Sequence, residues 1–179
     1  MMWEVVVVVV VILVIKLIIG GPASSGSSIT PDAGSTMEIL KKTTVAKRDR
    51  SSKAFSEVLE DCDIILIYFS AHWCPPCRMF TPILADVYSQ LKKQHKKVEV
   101  IFVSSDRDEA SMYQYMEESH GDWFTVTFND SARSELGKHF SVRGIPTLIV
   151  LGKDGTVIST DGRSAVQNNG AAAWDTWNI

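Results

Sequence analysis

The apolar run Ile64 to Phe69 is continuous rather than alternating, the pattern of a parallel strand buried on both faces of a sheet, and a second run, Val98 to Ser104, reads as another buried strand. Between them Phe80, Leu84, Val87 and Leu91 recur at spacings of four, three and four, which predicts an amphipathic helix from about Cys77 to Lys93. Before the first run, Leu40 to Ala46 alternates weakly and reads as an edge strand. Ser52 to Glu60, with Phe55, Val58 and Leu59 on one side, reads as a short helix. After the second run, Asp106 followed by Glu109 resembles a capping box that opens a helix to about Ser119. Phe124 to Phe128 reads as extended and Ser131 to Phe140 as helical. Thr147 to Leu151 and Thr156 to Thr160 flank Lys153-Asp154-Gly155 as a β-hairpin. Strand, helix, strand, helix and hairpin in this order describe an α/β domain with a central mixed sheet flanked by helices.

Residues 1–36 depart from this pattern. Residues 1–19 form an apolar, low-complexity segment with seven consecutive valines, Val5 to Val11, interrupted after Ile15 by Lys16. Three readings fit it, in decreasing order of agreement with the sequence. As low-complexity sequence it is unrelated to the fold. As an anchor it is short, because a span needs about 20 apolar residues. As a secretory signal it carries Glu4 and no basic residue ahead of the apolar run. If it anchors, Lys41, Lys42, Lys47, Arg48 and Arg50 hold the following domain in the cytoplasm. Residues 20–36 are rich in Gly, Ser, Pro and Thr and read as a flexible linker, so the folded domain is expected over residues 37–179.

With 179 residues, the chain has room for one such domain and an appendage. Its 18 basic and 21 acidic side chains give a net charge of −3, which supplies no global basic field for nucleic acid. Three cysteines are too few for a disulfide scaffold, and a 45% hydrophobic content makes one unnecessary. The basic run Lys92, Lys93, Lys96 and Lys97 falls at a helix C-terminus, where cations offset the macrodipole. Asn129-Asp130-Ser131 is a glycosylation sequon that matters only on a secretory route.

Candidate chemistry concentrates in Trp73-Cys74-Pro75-Pro76-Cys77-Arg78, where the first buried strand passes into the amphipathic helix. A thiol at a helix N-terminus faces the positive end of the dipole and unpaired N–H groups, which lower its pKa from about 8.5 toward 7 or below. Cys74 is therefore the expected nucleophile. Cys77, one turn inside the helix, is placed to attack a mixed disulfide at Cys74 and is the expected resolving thiol. Pro75 and Pro76 stiffen the turn between them. A zinc site would need Cys74, Cys77, His72 and Cys62 together, without a second CxxC to help. Haem attachment is excluded by Arg78 where a His is required. Trp73 reads as an exposed platform beside the nucleophile or as a rim aromatic, and Cys62 as a free, partly buried thiol.

These residues resemble the thioredoxin superfamily, and within it the tryparedoxin and nucleoredoxin branch. The resemblance runs from about Leu40 to Trp177 through Tyr68-Phe69-Ser70-Ala71, Phe80-Thr81-Pro82, Val103-Ser104-Ser105-Asp106, Gly144-Ile145-Pro146-Thr147 and Asp161-Gly162-Arg163. It implies a thioredoxin-like fold, a cis peptide at Pro146 against the dithiol, and pairing of the Ile145 backbone with an incoming peptide. It also implies a redox-active Cys74-Cys77 disulfide, substrate contact through Trp73, Ile145 and Pro146, and support from Pro75, Pro76 and Arg78. Thioredoxin-type members carry a buried Asp where this chain has Tyr68, which instead matches the tryparedoxin-like branch. Ala172-Ala173-Trp174 departs from a frequent Phe-Pro-Trp, and Trp174 is expected to pack on the fold all the same.

The expected function is reduction of protein disulfides by the dithiol, with no metal or organic cofactor. Protein clients and an external thiol reductant are the expected partners, with the domain monomeric and cytoplasmic. A membrane partner enters only if residues 5–19 anchor. The alternatives are a secreted thiol oxidase or isomerase, if residues 1–25 are a cleaved signal, and a redox-switched interaction module built on the Pro146 groove.

Overall fold

The computed structural model describes residues 31–177, so the apolar segment and most of the Gly/Ser-rich stretch lie outside the described residues. In chain order the elements are α1 (Ala33–Lys42), β1 (Thr44–Ala46), β2 (Ser52–Ala54), α2 (Phe55–Leu59), β3 (Ile64–Ser70), α3 (Pro75–Lys93) and β4 (Val98–Ser104). There follow α4 (Glu109–Ser119), β5 (Phe124–Val126), α5 (Ala132–His139), β6 (Thr147–Gly152), β7 (Val157–Ser159) and α6 (Gly162–Asn169). A 3-10 turn (Gly170–Ala173) then leads into α7 (Trp174–Trp177). The strands form one mixed sheet in the order β2-β1-β5-β4-β3-β6-β7. β3 lies at its centre, parallel to β4 and antiparallel to β6.

The apolar run Ile64 to Phe69 and the second buried strand are this centre, and every residue of β3 and β4 is buried. Alternate residues feed two cores. Leu66 and Tyr68 face α3, α4 and the C-terminal helices, while Ile65, Ile67 and Phe69 face α1, α2 and α5. The predicted amphipathic helix is α3, whose Phe80, Leu84, Val87 and Leu91 are all buried on the first face. Trp174 and Trp177 pack on that same core, so the departure from Phe-Pro-Trp does not release the C-terminus.

Three expectations are corrected. Leu40 to Ala46 is not one strand: Ala33–Lys42 is helix and only Thr44–Ala46 is strand. Asp32 caps α1 by accepting the Ser35 N–H, and the Thr36 hydroxyl meets His139 Nε2 at 2.7 Å. The folded unit therefore includes residues 32–36, which composition assigns to the linker. Ser52–Ala54 is an edge strand antiparallel to β1, and only Phe55–Leu59 of the expected helix is helical. Asp106 does not cap α4. Asp108 does, accepting both the N–H and the hydroxyl of Ser111.

Two glycines make this packing possible. Gly155 turns the β6–β7 hairpin at φ +86°, and a Cβ there would come within 2.8 Å of the Ala33 carbonyl oxygen on α1. Gly162 lets the start of α6 approach β6, where a Cβ would lie 2.9 Å from the Leu148 carbonyl oxygen.

Candidate functional site

β3 ends at Ser70, and four residues later Cys74 is the N-cap of α3. Proline at both of the first two helical positions removes two of the N–H groups that a helix start leaves unpaired. The Cys74 N–H is bonded to the Ala71 carbonyl, and the Arg78 N–H to the Cys74 carbonyl. Among the described residues the Cys77 N–H has no hydrogen-bond partner, and the Cys74 side chain does not cap the helix. Cys74 and Cys77 are joined as a disulfide with Cα atoms 5.2 Å apart. Cys77 is fully buried and Cys74 is 3% exposed. Ala71 and Ile145 pack around the pair. The Ile145–Pro146 peptide is cis, and Cys74 Sγ lies 3.8 Å from the Ile145 carbonyl oxygen.

Trp73 is 58% exposed at the rim, and its indole N–H donates to the Ser105 carbonyl at 3.2 Å. His72 sits one residue inward. Its backbone N–H donates to Asp106 Oδ1 at 2.8 Å, its ring stacks on Tyr115, and Nε2 is 2.9 Å from Glu118. Arg78 is exposed on the first turn of α3. Its charge also favours ionised Glu118, which hydrogen bonds from Gln114 and His72 hold below the usual carboxylate range.

The β4–α4 loop braces this segment, a role the sequence reading missed. Asp106 accepts the Ser104 hydroxyl at 2.8 Å as well as the His72 N–H. From α5, Arg133 donates to the carbonyls of Ser104, Asp106 and Phe128, pinning the loop on which Trp73 leans. The local spacing of Asp106 and Glu109 masks the long-range contact, and no sequence signal marks Arg133.

Behind the disulfide lies a closed set of hydroxyls. The Thr81 hydroxyl donates to the Cys77 carbonyl at 2.9 Å, which commits its one proton. The hydroxyls of Tyr68, 2.7 Å away, and Tyr115 must then both donate to Thr81 Oγ1, and the Ser70 hydroxyl donates to Tyr115 at 3.1 Å. Burial pushes the Tyr68 phenol well above its usual range, so it is a neutral core donor. Pro82 follows directly and cannot donate to the Arg78 carbonyl. The Thr81 node thus ties the first turn down where the helix loses a hydrogen bond.

Cys62 is not brought to this site. It packs with Phe55, Val58 and Ile65 on the other face of the sheet. Desolvation pushes its thiol up to about 12, with the nearby Glu99 carboxylate adding to the shift. No group of three or more potential metal ligands occurs among the described residues.

A buried strand that delivers a disulfide to a helix N-terminus, opposite a cis-proline just before a neighbouring strand, defines a thioredoxin-fold dithiol protein. The chain belongs to the thioredoxin-like family, whose model matches residues 61–157. It is 46% identical over 110 residues to probable nucleoredoxin 1 of Arabidopsis thaliana, covering 62% of this chain and 19% of that protein. To the tryparedoxin of Trypanosoma brucei brucei it is 43% identical over 106 residues, covering 57% of this chain and 70% of that protein. The NMR structure of thioredoxin-related protein 16 from Carcinoscorpius rotundicauda superposes with a TM-score of 0.69 at 47% identity, covering 78% of this chain and 98% of that one. The chain spans 19% to 28% of the length of the nucleoredoxins it matches. Family, relatives and cysteine pair together fit a thiol-disulfide oxidoreductase.

Proposed function

We propose that this domain reduces disulfides of protein clients. The Cys74 thiolate attacks one client sulfur, forming the Cys74–client bond and expelling the second client sulfur as a thiolate. The Cys77 thiolate then attacks Cys74 Sγ, closing the Cys74-Cys77 disulfide and releasing the first client sulfur. Two electrons pass to the client, and an external thiol reductant returns two electrons to the pair. The observation that carries the reading is the Cys74-Cys77 pair at the start of α3, with Cys74 Sγ beside the Ile145 carbonyl and Cys77 fully buried beneath it. Trp73 and Ile145 form the surface a client strand would meet, with Pro146 buried beneath it, while Pro75, Pro76 and Arg78 hold and flank the turn.

We place the domain in the cytoplasm as a monomer, with residues 1–19 outside its chemistry. If residues 1–19 anchor, the basic residues from Lys41 to Arg50 keep the domain on the cytoplasmic side. Insulin reduction with a dithiol donor tests the activity. The wild type should turn over, and Cys77→Ser should accumulate client adducts that dithiothreitol dissolves and that Cys74→Ser in the same chain abolishes. Background activity with a competent donor would favour use of the same surface as a redox-switched docking module.

A further inference from the structure

The groove on the Ile145 side of Trp73 carries charge that the exchange chemistry does not use. Phe69, Val103, Val142 and Ile145 give it apolar walls, and Arg133 and Arg143 line the same groove. Arg143 is exposed on the loop before the cis-proline. Arg133 is partly buried against the Phe128 ring, its hydrogens committed to three carbonyl oxygens. Carbonyl dipoles satisfy those hydrogens without cancelling the charge. Neither arginine joins an ion pair among the described residues, and desolvation holds the Arg133 pKa below its ordinary value. The other side of Trp73 differs. There the lining is His72, Asp106, Arg107, Asp108 and Ser111, with two carboxylates to one guanidinium. Trp73 therefore separates a doubly cationic groove from a surface of net negative charge, both within reach of a chain crossing Cys74.

We infer that the Ile145-side groove selects clients bearing an acidic residue next to the reactive cysteine, on the side of the segment that passes from Trp73 toward Ile145. This rests on the disulfide exchange proposed above and names its preferred substrate class. A carboxylate placed there meets the exposed Arg143 and the partly buried Arg133, whose charge the nearby Asp106 offsets only in part, whereas the same carboxylate on the opposite side meets Asp106 and Asp108.

Peptides carrying one cysteine as a mixed disulfide with thionitrobenzoate test this. Attack on the peptide sulfur expels the coloured thiolate and leaves the peptide on Cys74. Glu, Gln or Lys is placed immediately before or immediately after the cysteine, and kcat/KM is read for each. The expected result is an order of Glu over Gln over Lys at one of the two positions, about fivefold per step and shrinking with added salt, and no such order at the other. Arg143→Glu should reverse the order of Glu and Lys, while Lys97→Glu, just before β4, should leave it in place. Equal rates for all three residues at both positions, or Lys fastest at both, with release otherwise intact, would overturn the inference alone. Absence of release from every peptide would overturn the exchange reading and this inference with it.

Discussion

Cys62 and Cys74 are equally hidden, each 3% exposed, yet their surroundings push thiol chemistry in opposite directions. Cys62 precedes β3 in an apolar core, with the Glu99 carboxylate as its main charged neighbour, and its pKa is pushed up to about 12. Cys74 sits at the positive end of a 19-residue helix, whose dipole favours a thiolate and works against the Ile145 carbonyl oxygen 3.8 Å away. Burial penalises a thiolate at either place. At Cys74 the helix-terminal field offsets that penalty in the proposed reading, whereas at Cys62 nothing offsets it and the Glu99 carboxylate adds to it.

The largest effect expected from this contrast is on turnover. Cys74→Ser should remove disulfide reduction entirely, whereas Cys62→Ser should stay within about twofold of wild type, since a surviving fold is all it is asked to provide. Comparable losses from the two variants, measured by insulin turnover, would break the comparison.

His120 extends the contrast to a buried base. Phe102, Tyr115 and Trp123 enclose its ring, its Nδ1 accepts the Trp123 indole N–H at 3.0 Å, and its Nε2 has no partner among the described residues. Desolvation lowers its pKa from 6.5 to about 3. The unfolded chain therefore binds this proton at a higher pH than the folded one does. The resulting stability is complete above about pH 6.5 and is lost as pH falls toward 3, at up to about 1.4 kcal/mol per pH unit. Urea midpoints should drop between pH 7 and pH 5, and His120→Gln should flatten that slope. An unchanged slope in the variant would assign the acid lability elsewhere.

At the Thr81 node the expected loss is smaller. Thr81→Val strands two tyrosine hydroxyls and should cost about 1–3 kcal/mol in urea unfolding, most of it recovered by Thr81→Ser. The smallest effect belongs to Glu99→Gln. It should bring Cys62 alkylation to a lower pH while leaving it well behind Cys74, because desolvation outranks the carboxylate among the causes of the shift. A larger response would mean that charge rather than burial silences Cys62.

The sequence exposes most of the active turn because its determinants are local. The unbroken run Ile64 to Phe69, the helical period from Phe80 to Leu91 and the paired prolines lie within one stretch of chain, and each maps onto β3 or α3. The cis-proline came only through resemblance, since nothing in Ile145-Pro146 itself specifies it. Features set by distant contacts were hidden. Ala33–Lys42 opens with Gly and Ser and resembles a linker. It is held by the Asp32 cap and by Thr36 against His139 on α5. Asp106 has a plausible helical partner nearby, while its actual partner, the His72 N–H, lies 34 residues away. Arg133 and the hydroxyls around Thr81 belong to the same class.

The account rests most heavily on Cys74 as the activated thiol. Alkylation of the fully reduced protein with iodoacetamide, resolved cysteine by cysteine by mass spectrometry across pH 5 to 11, tests it directly. Cys74 should react first, with a rate that rises through a midpoint near or below about 7, followed by Cys77, with Cys62 unmodified until the most alkaline points. A Cys74 midpoint at or above about 8.5, or earlier modification of Cys62 or Cys77, would contradict the claim that the start of α3 activates this sulfur.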